Sequence, residues 1–258
     1  MTSFAVITPT IGTPHLKECI ESLRGQECSH YLVVDGREHW GRVDAILDTI
    51  SHTGLRLSVN HLDRNIGKGW YGHRVYAASP FLVNEEVLCF LDEDNWVEPS
   101  YIAAFQSVLM DAKYRWAHTL RNVVDEQGIF ICRDDCENLG QWKVMAHEDR
   151  YHVDTGCFAV PRELALKVSH AWYGQWGADR QFFAALKHAA PQFGCTTQYT
   201  LNYRLGSDTN LATSQMFLRG NQFTKEFYKG HYPWHTQRRP VSDSPGMLIY
   251  QTTQNKLS

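Results

Sequence analysis

The sequence lacks the features that mark several large classes of protein. No segment approaches the roughly 18 apolar residues of a membrane-spanning helix. The most apolar patch, Val87 to Leu91, is strand-sized. Neither charge dominates: 25 Lys and Arg stand against 28 Asp and Glu, a net of −3 over 258 residues. A general nucleic-acid surface is therefore not indicated. The opening MTSFAVITPT has no basic region and no long apolar stretch, so it does not read as a secretory signal. The seven cysteines (Cys19, Cys28, Cys89, Cys132, Cys136, Cys157 and Cys195) form no CxxC pair. Reduced, mostly buried thiols in a cytoplasmic protein are the expectation, and Cys132, Cys136 and a nearby His make only a weak zinc motif. Linkers, low-complexity tracts and internal repeats are missing as well, which points to one domain. With 43% hydrophobic and 21% charged residues, the composition excludes a mostly disordered chain. A chain of this length buries about three quarters of its unfolded surface, so its core needs neither disulfide nor metal.

What is present is an alternation of strand and helix signals. Phe4 to Thr8 is a short β-rich run, and Thr13-Pro14 resembles a helix cap followed by proline at the first helical position. Leu16, Cys19, Ile20 and Leu23 share a helical face, as do Val43, Ile46, Leu47 and Ile50. Tyr31 to Val34 reads as a second strand, the alternation of Leu55, Leu57 and Val59 as a third, and Val87 to Leu91 as a buried fourth. The glycine-rich stretch from Asn65 to Gly72 precedes another helix, and one more starts after Pro99. Further on, Gly156 to Val160 and Thr196 to Leu205 read as strands and Ala178 to Ala189 as a helix. Such alternation predicts an α/β fold with a mostly parallel central sheet flanked by helices on both faces. Ligands of these sheets bind at the carboxyl ends of the strands. Those ends carry Thr8-Pro9-Thr10, Asp35-Gly36 and Asp92-Glu93-Asp94.

The sharpest feature is Asp92-Glu93-Asp94 directly after a buried strand. Extended residues two apart point the same way, so Asp92 and Asp94 can face one ligand. Hard oxygen donors suit Mn²⁺ or Mg²⁺ bridging to phosphates, although an acidic loop capping the next helix explains the same residues. Asp35 could accept hydrogen bonds from a nucleobase or could simply form a turn before Gly36. Around the third strand, Arg64, Lys68 and Arg74 could offset phosphate charge, while Gly67 would let backbone approach a ligand.

In order, these residues resemble a family 2 glycosyltransferase of the GT-A fold. The likeness rests on Ile7-Thr8-Pro9-Thr10, Val33-Val34-Asp35-Gly36, Arg64-Asn65-Ile66-Gly67 and Phe90 to Asp94, and it spans about the first 110 residues. The family's strand often ends Asp-Asp-Gly, and here the first Asp is Val34. The resemblance implies a single GT-A domain, with residues 1–110 as a nucleotide-sugar-binding half and 111–258 as an acceptor-binding half. It also implies an inverting transfer from a nucleotide-diphospho-sugar, by default a UDP-sugar, to a hydroxyl of a glycan or lipid-linked acceptor. The donor would meet Thr8, Pro9, Thr10, Asp35, Arg64, Asn65, Gly67, Lys68, Arg74, Asp92, Glu93 and Asp94, with Mn²⁺ or Mg²⁺ on Asp94 and Asp92.

The second half matches more loosely. Asp154, Thr155 and Gly156, and then Trp176, Gly177 and Arg180, fall where the family places its acceptor site, and Asp179 takes the place of the general base. Asp179 also fits the first turn of a helix, where the dipole favours an acid. Met216 to Pro240 is aromatic and basic. It reads as an amphipathic helix packed on the core, as a lid with Arg219 on the diphosphate and His231 or His235 on the metal, or as a peripheral contact with an anionic membrane face. A sugar-nucleotide nucleotidyltransferase is the nearest rival, but Pro9 to Pro14 lacks the basic residues that grip a triphosphate. A dinucleotide-dependent oxidoreductase would need GxGxxG after the first strand. A non-catalytic nucleotide- or sugar-binding module would not need both Asp94 and Asp179.

Overall fold

The computed structural model describes residues 2–67, 69, 71–143, 151–206 and 212–236. β1 (Phe4–Thr10) is buried on both faces, as expected of a strand that is covered from either side. α1 (Leu16–Ser22) returns over one face. It starts two residues later than Thr13-Pro14 suggests, with His15 at the capping position and no side-chain cap. The reason lies in Glu93, whose carboxylate binds the N–H groups of Ile11, Gly12 and Thr13 and so fixes the loop before the helix can begin. β2 (Ser29–Asp35) follows, then α2 (Trp40–Leu47) and β3 (Leu57–Leu62). Leu32 and Val34 pack with Leu16, Ile20 and Val43, while Val33 joins the cluster on the opposite face. This is the two-faced burial that the alternation predicts. α3 (His73–Ala78) leads into β4 (Val87–Phe90), whose four residues are all buried.

The chain continues with β5 (Trp96–Val97), α4 (Tyr101–Leu109), β6 (Trp116–Val124), β7 (Phe130–Arg133), β8 (Phe158–Pro161) and α5 (Arg162–Val168). Then come α6 (Ala178–Ala189), β9 (Phe193–Arg204), α7 (Ser214–Phe227) and α8 (Pro233–Thr236). Among the described residues nine strands form one sheet, ordered β3-β2-β1-β4-β8-β6-β9-β5, with β7 paired to β6. The expectation of a mostly parallel sheet holds only for β3, β2, β1 and β4. β8 runs antiparallel to both β4 and β6, β7 antiparallel to β6, and β5 antiparallel to β9; β6–β9 alone is parallel there. The sheet is therefore mixed. Part of the reason is local, since the short turn from Asp125 to Ile129 joins β6 to β7, and so short a connection forces antiparallel pairing.

An aromatic cluster joins the halves behind the strand ends. The ring of Trp172 stacks on Phe182 of α6 at 4.4 Å, and lies 5.1 Å from Phe90 of β4 and 5.2 Å from Tyr76 of α3. Each such pair adds about 0.5–1.5 kcal/mol beyond the area it buries. This packing sets the start of α6, with Asp179, against the end of β4, which Asp92 and Asp94 follow. The seven cysteines are unpaired, and only Cys132 is not fully buried. Among the described residues no helix is long and apolar enough to cross a membrane.

Candidate active site

A cleft of about 830 Å³ opens at the carboxyl ends of β1, β2 and β4 and continues onto the first turn of α6. Of the expected donor-side residues, Pro9, Thr10, Asp35, Asn65, Gly67, Asp92, Glu93 and Asp94 line it. From the acceptor side come Asp154, Thr155, Trp176, Gly177, Asp179 and Arg180. Residues from distant parts of the chain thus meet in one place.

Two of these acids are committed to the scaffold. Asp35 accepts the N–H of Ile66 on Oδ1 and that of Gly67 on Oδ2, both at 2.7 Å. A Cβ at position 67 would strike the Asp35 carboxylate, so glycine is required there by close approach. Glu93 is more heavily bound. It accepts from Thr10 Oγ1 at 2.6 Å and from the backbone N–H groups of Ile11, Gly12 and Thr13 at 2.9–3.1 Å. Glu93 lines the cleft with the other expected donor-side residues, and the loop after β1 engages both its oxygens. The same bonds qualify Asp35 as a base reader: any further ligand must use its remaining lone pairs.

Asp92 and Asp94 are held differently. Asp92 Oδ1 accepts from the hydroxyl of Tyr76 at 2.7 Å. The Asp94 carboxylate has no donor outside its own residue among the described residues, although its backbone carbonyl accepts Arg204 Nε at 2.9 Å. Arg204 also bonds the Glu126 carbonyl and pairs with Glu18, and Asn95 accepts the Arg204 N–H. The acidic loop is thereby pinned through its backbone while its carboxylates are left toward the cleft. Burial, together with the neighbouring charges of Asp94 and Asp154, raises the Asp92 carboxyl well above its ordinary range. Burial and the charge of Glu93 push Asp94 up to about 6. Two crowded acids that resist ionisation fit a divalent cation, which would relieve both burial and repulsion.

The acceptor side is built on a buried ion-pair network. Arg121, in the middle of β6, reaches Asp134 at 2.7 Å and Asp154 at 2.5 Å and stacks 4.2 Å over Tyr203. Asp154 also accepts the N–H of Gly156 at 3.2 Å. Asp154 lines the cleft, but its carboxylate is occupied by the scaffold. Asp179 stands in the first turn of α6 after Gly177, which adopts φ +85. Its Oδ1 accepts the Arg180 N–H at 2.8 Å, and its Oδ2 lies 3.4 Å from His152 Nε2. His152, Asp154 and Asp179 each offer an atom within 4.8 Å of the others. Trp176 is half exposed, with Arg180 stacked on its ring at 5.1 Å.

Several expected residues lie elsewhere. Thr8 is buried against His30 and Cys19, and Gly156 is buried with its carbonyl accepting the Tyr101 hydroxyl. Arg64 and Arg74 are not among the described residues of the cleft wall, and Arg74 donates to the Ile66 carbonyl. Lys68 lies outside the described residues. Neither His231 nor His235 lines the cleft. His235 instead meets the Tyr199 hydroxyl at 3.0 Å, within an aromatic cluster with Trp234 and Tyr232, so the expected histidine metal ligand is not brought to Asp92 and Asp94. Arg219 is exposed on α7, which packs on the core through Phe217, as in the amphipathic-helix reading; 237–240 lie outside the described residues. Sequence reasoning missed Tyr76, Arg121, His152 and Arg204. Arg121 is the one Lys or Arg of β6 and is buried there. His152 stands two residues before Asp154, the same spacing that singled out Asp92 and Asp94.

The balance of charge in this cleft is decisive. Among the described lining residues, seven carboxylates (Asp35, Asp92, Glu93, Asp94, Glu137, Asp154 and Asp179) face three guanidinium groups (Arg121, Arg180 and Arg204). Arg121 and Arg204 are already ion-paired. The fold that carries this cleft has relatives among solved structures. Its likeness is to TarS of S. aureus. The crystal structure of residues 1–349 superposes with TM-score 0.60 at 14% identity, covering 90% of this chain and 72% of that one. The same fragment in complex with UDP gives 0.59 at 14% identity (88% and 70% covered), and that with UDP-GlcNAc gives 0.55 at 12% (88% and 66%). At this identity the likeness is one of fold. An uncharacterized protein of Haemophilus influenzae is 38% identical over 66 residues, which are 26% of this chain and 45% of that protein. No protein-family model matches the chain.

Proposed function

We propose that this chain transfers a glycosyl group from a nucleotide-diphospho-sugar, by default a UDP-sugar, to an acceptor hydroxyl, with a divalent cation and with inversion. The observation that carries the reading is the excess of acid in the cleft. A diphosphate would be repelled by such a surface unless a cation lay between them, and Asp92 and Asp94 are the acids with coordination capacity left. The fold shared with TarS, which has been solved with UDP and with UDP-GlcNAc, supports a nucleotide-sugar as the donor.

Asp94 and Asp92 would hold Mn²⁺ or Mg²⁺, which when bound supplies counter-charge for the diphosphate leaving group. The remaining steps belong to the side chains. Pro9 and Asp35, at the ends of β1 and β2, and Asn65, after β3, would cradle the nucleoside. Trp176 and Arg180 would border the acceptor. Asp179 accepts the proton of the acceptor hydroxyl as its oxygen bonds to the anomeric carbon, and the bond from that carbon to the phosphate oxygen breaks with its electron pair on the diphosphate. A single in-line displacement inverts the anomeric centre, so an α-linked donor yields a β-linked product.

The test is a thermal-shift screen of UDP-, GDP-, dTDP- and CMP-sugars with and without Mn²⁺. Specific binding at a hundredfold excess over Kd stabilises by about 2.7 kcal/mol. One nucleotide class should shift the wild type only when Mn²⁺ is present, and Asp94→Ala should abolish that shift. A cation-independent shift, or none across the panel, contradicts the reading.

A further inference from the structure

We propose that His152 is a positioning residue for Asp179: its imidazole holds the second carboxylate oxygen, so the acid presents a fixed lone pair to the acceptor. This rests on the reading of Asp179 as the base. The two oxygens of Asp179 have separate partners. Oδ1 takes the Arg180 N–H at 2.8 Å, and Oδ2 faces His152 Nε2 at 3.4 Å. That separation is longer than a settled hydrogen bond, as catalytic contacts often are before substrate binds. His152 is only 7% exposed, and its Nδ1 is buried with no partner. Among the described residues the one nitrogen facing an acceptor is thus Nε2, which makes it the donor to Asp179.

The surroundings favour this pairing over a cation shared by His152, Asp154 and Asp179. Asp154 is committed on both oxygens, one to Arg121 at 2.5 Å and the other to the Gly156 N–H. The Arg121 guanidinium beside it also opposes a second positive charge. His73, the other imidazole whose surroundings include the Asp179 charge, is tied through Nδ1 to the Gly174 carbonyl at 3.1 Å. A carboxylate gripped at two points keeps its plane, and a misplacement of about 1 Å at a reacting group can cost on the order of 10²-fold in rate.

The experiment measures kcat, acceptor KM and Mn²⁺-dependent donor affinity for wild type, His152→Phe, His152→Ala, His152→Gln, Asp179→Asn and the double variant His152→Phe/Asp179→Asn. Phe preserves the ring volume without a donor, and Ala serves should Phe not fold. Gln restores an N–H at similar reach. The Phe variant should lose about 10–100-fold in kcat with donor affinity unchanged. Gln should recover most of that loss, and the double variant should be no slower than Asp179→Asn alone, because the two residues act as a unit. Wild-type kcat in His152→Phe, with Asp179→Asn impaired, overturns the positioning role and leaves the base standing. A fully additive double variant also overturns it. So does weakened Mn²⁺ affinity with normal kcat at saturating Mn²⁺, which would make His152 a ligand. Full turnover in Asp179→Asn would instead remove the base reading on which the proposal rests.

Discussion

Two sets of acids border the same cleft and differ in what holds them. Asp35 and Glu93 are saturated by backbone: two N–H groups bind the first, and three N–H groups and a hydroxyl bind the second. Among the described residues no backbone N–H of another residue binds the carboxylate of Asp92 or Asp94, and Asp179 takes one, from Arg180. The residue type is shared, and so is the location at strand or helix ends. A carboxylate supplied with several fixed N–H donors needs no ligand and serves to shape a loop. One crowded by like charge and left undersupplied is stable only when something cationic or acidic arrives. The number of backbone N–H donors separates frame from chemistry here, and proximity to the cleft does not.

The strongest way to break that distinction is to remove the open acids. Asp179→Asn is near-isosteric and keeps the Arg180 N–H bond within reach. Turnover should fall by about 10²–10⁴-fold while donor affinity stays close to wild type. Steady-state transfer rates and a nucleotide-sugar binding isotherm check this together. Donor binding that collapses along with turnover would move Asp179 into the donor site and blur the two sets.

Much of the donor side was legible in the sequence because its signals are local. A buried strand ending in acid, an Asp-Gly turn and a glycine-rich loop can each be read within six residues, and β1, β2 and β4 fall where their apolar runs predict. The acceptor side was not, since it depends on partners far apart in the chain. Arg121 meets Asp134 through the antiparallel pairing of β6 with β7 and Asp154 through that of β6 with β8, and His152 meets Asp179 across 27 residues. The role of Glu93 was hidden for the same reason. Its donors lie some 80 residues earlier, and nothing in Asp92-Glu93-Asp94 separates the scaffold acid from the two beside it. β6, the longest strand missed, carries Arg121 and Asn122 in its interior, which breaks the apolar run that would have announced it.

Substitutions of the saturated acids sharpen the contrast from the other side. In Glu93→Gln the amide keeps one acceptor oxygen but turns an NH₂ toward groups that also donate. At least one of the Ile11, Gly12 and Thr13 N–H groups is then unpaired, at a cost of about 1–3 kcal/mol. For a chain of this size each kcal/mol lowers Tm by about 2–4 °C. Asp35→Asn should behave alike through Ile66 and Gly67. Thermal denaturation should therefore register these variants more clearly than kcat measured well below Tm. A Glu93→Gln protein with wild-type Tm and a collapsed kcat would place Glu93 among the reacting groups after all.

The smallest effect runs in the opposite direction and depends on pH. Asp94, raised to about 6 in the fold by burial and by Glu93, returns to the ordinary carboxylate range when the chain unfolds. Between about 4 and 6 the folded state therefore holds more protons than the unfolded one, and stability falls as pH rises through that window. Asp92, raised for a related reason, adds to the same slope. Asp94→Asn removes the charge, so the cation-free protein should gain on the order of 1 kcal/mol at pH 7 after allowance for screening. The gain should vanish near pH 4, where the wild-type acid is already neutral. With Mn²⁺ present the ranking should reverse, because only the wild type retains the ligand and the cation stabilises the state that binds it. Melting curves of both proteins at pH 4 and pH 7, in EDTA and in Mn²⁺, read all four corners. An Asp94→Asn variant less stable than wild type in EDTA at pH 7 would mean that the open acid is a structural one.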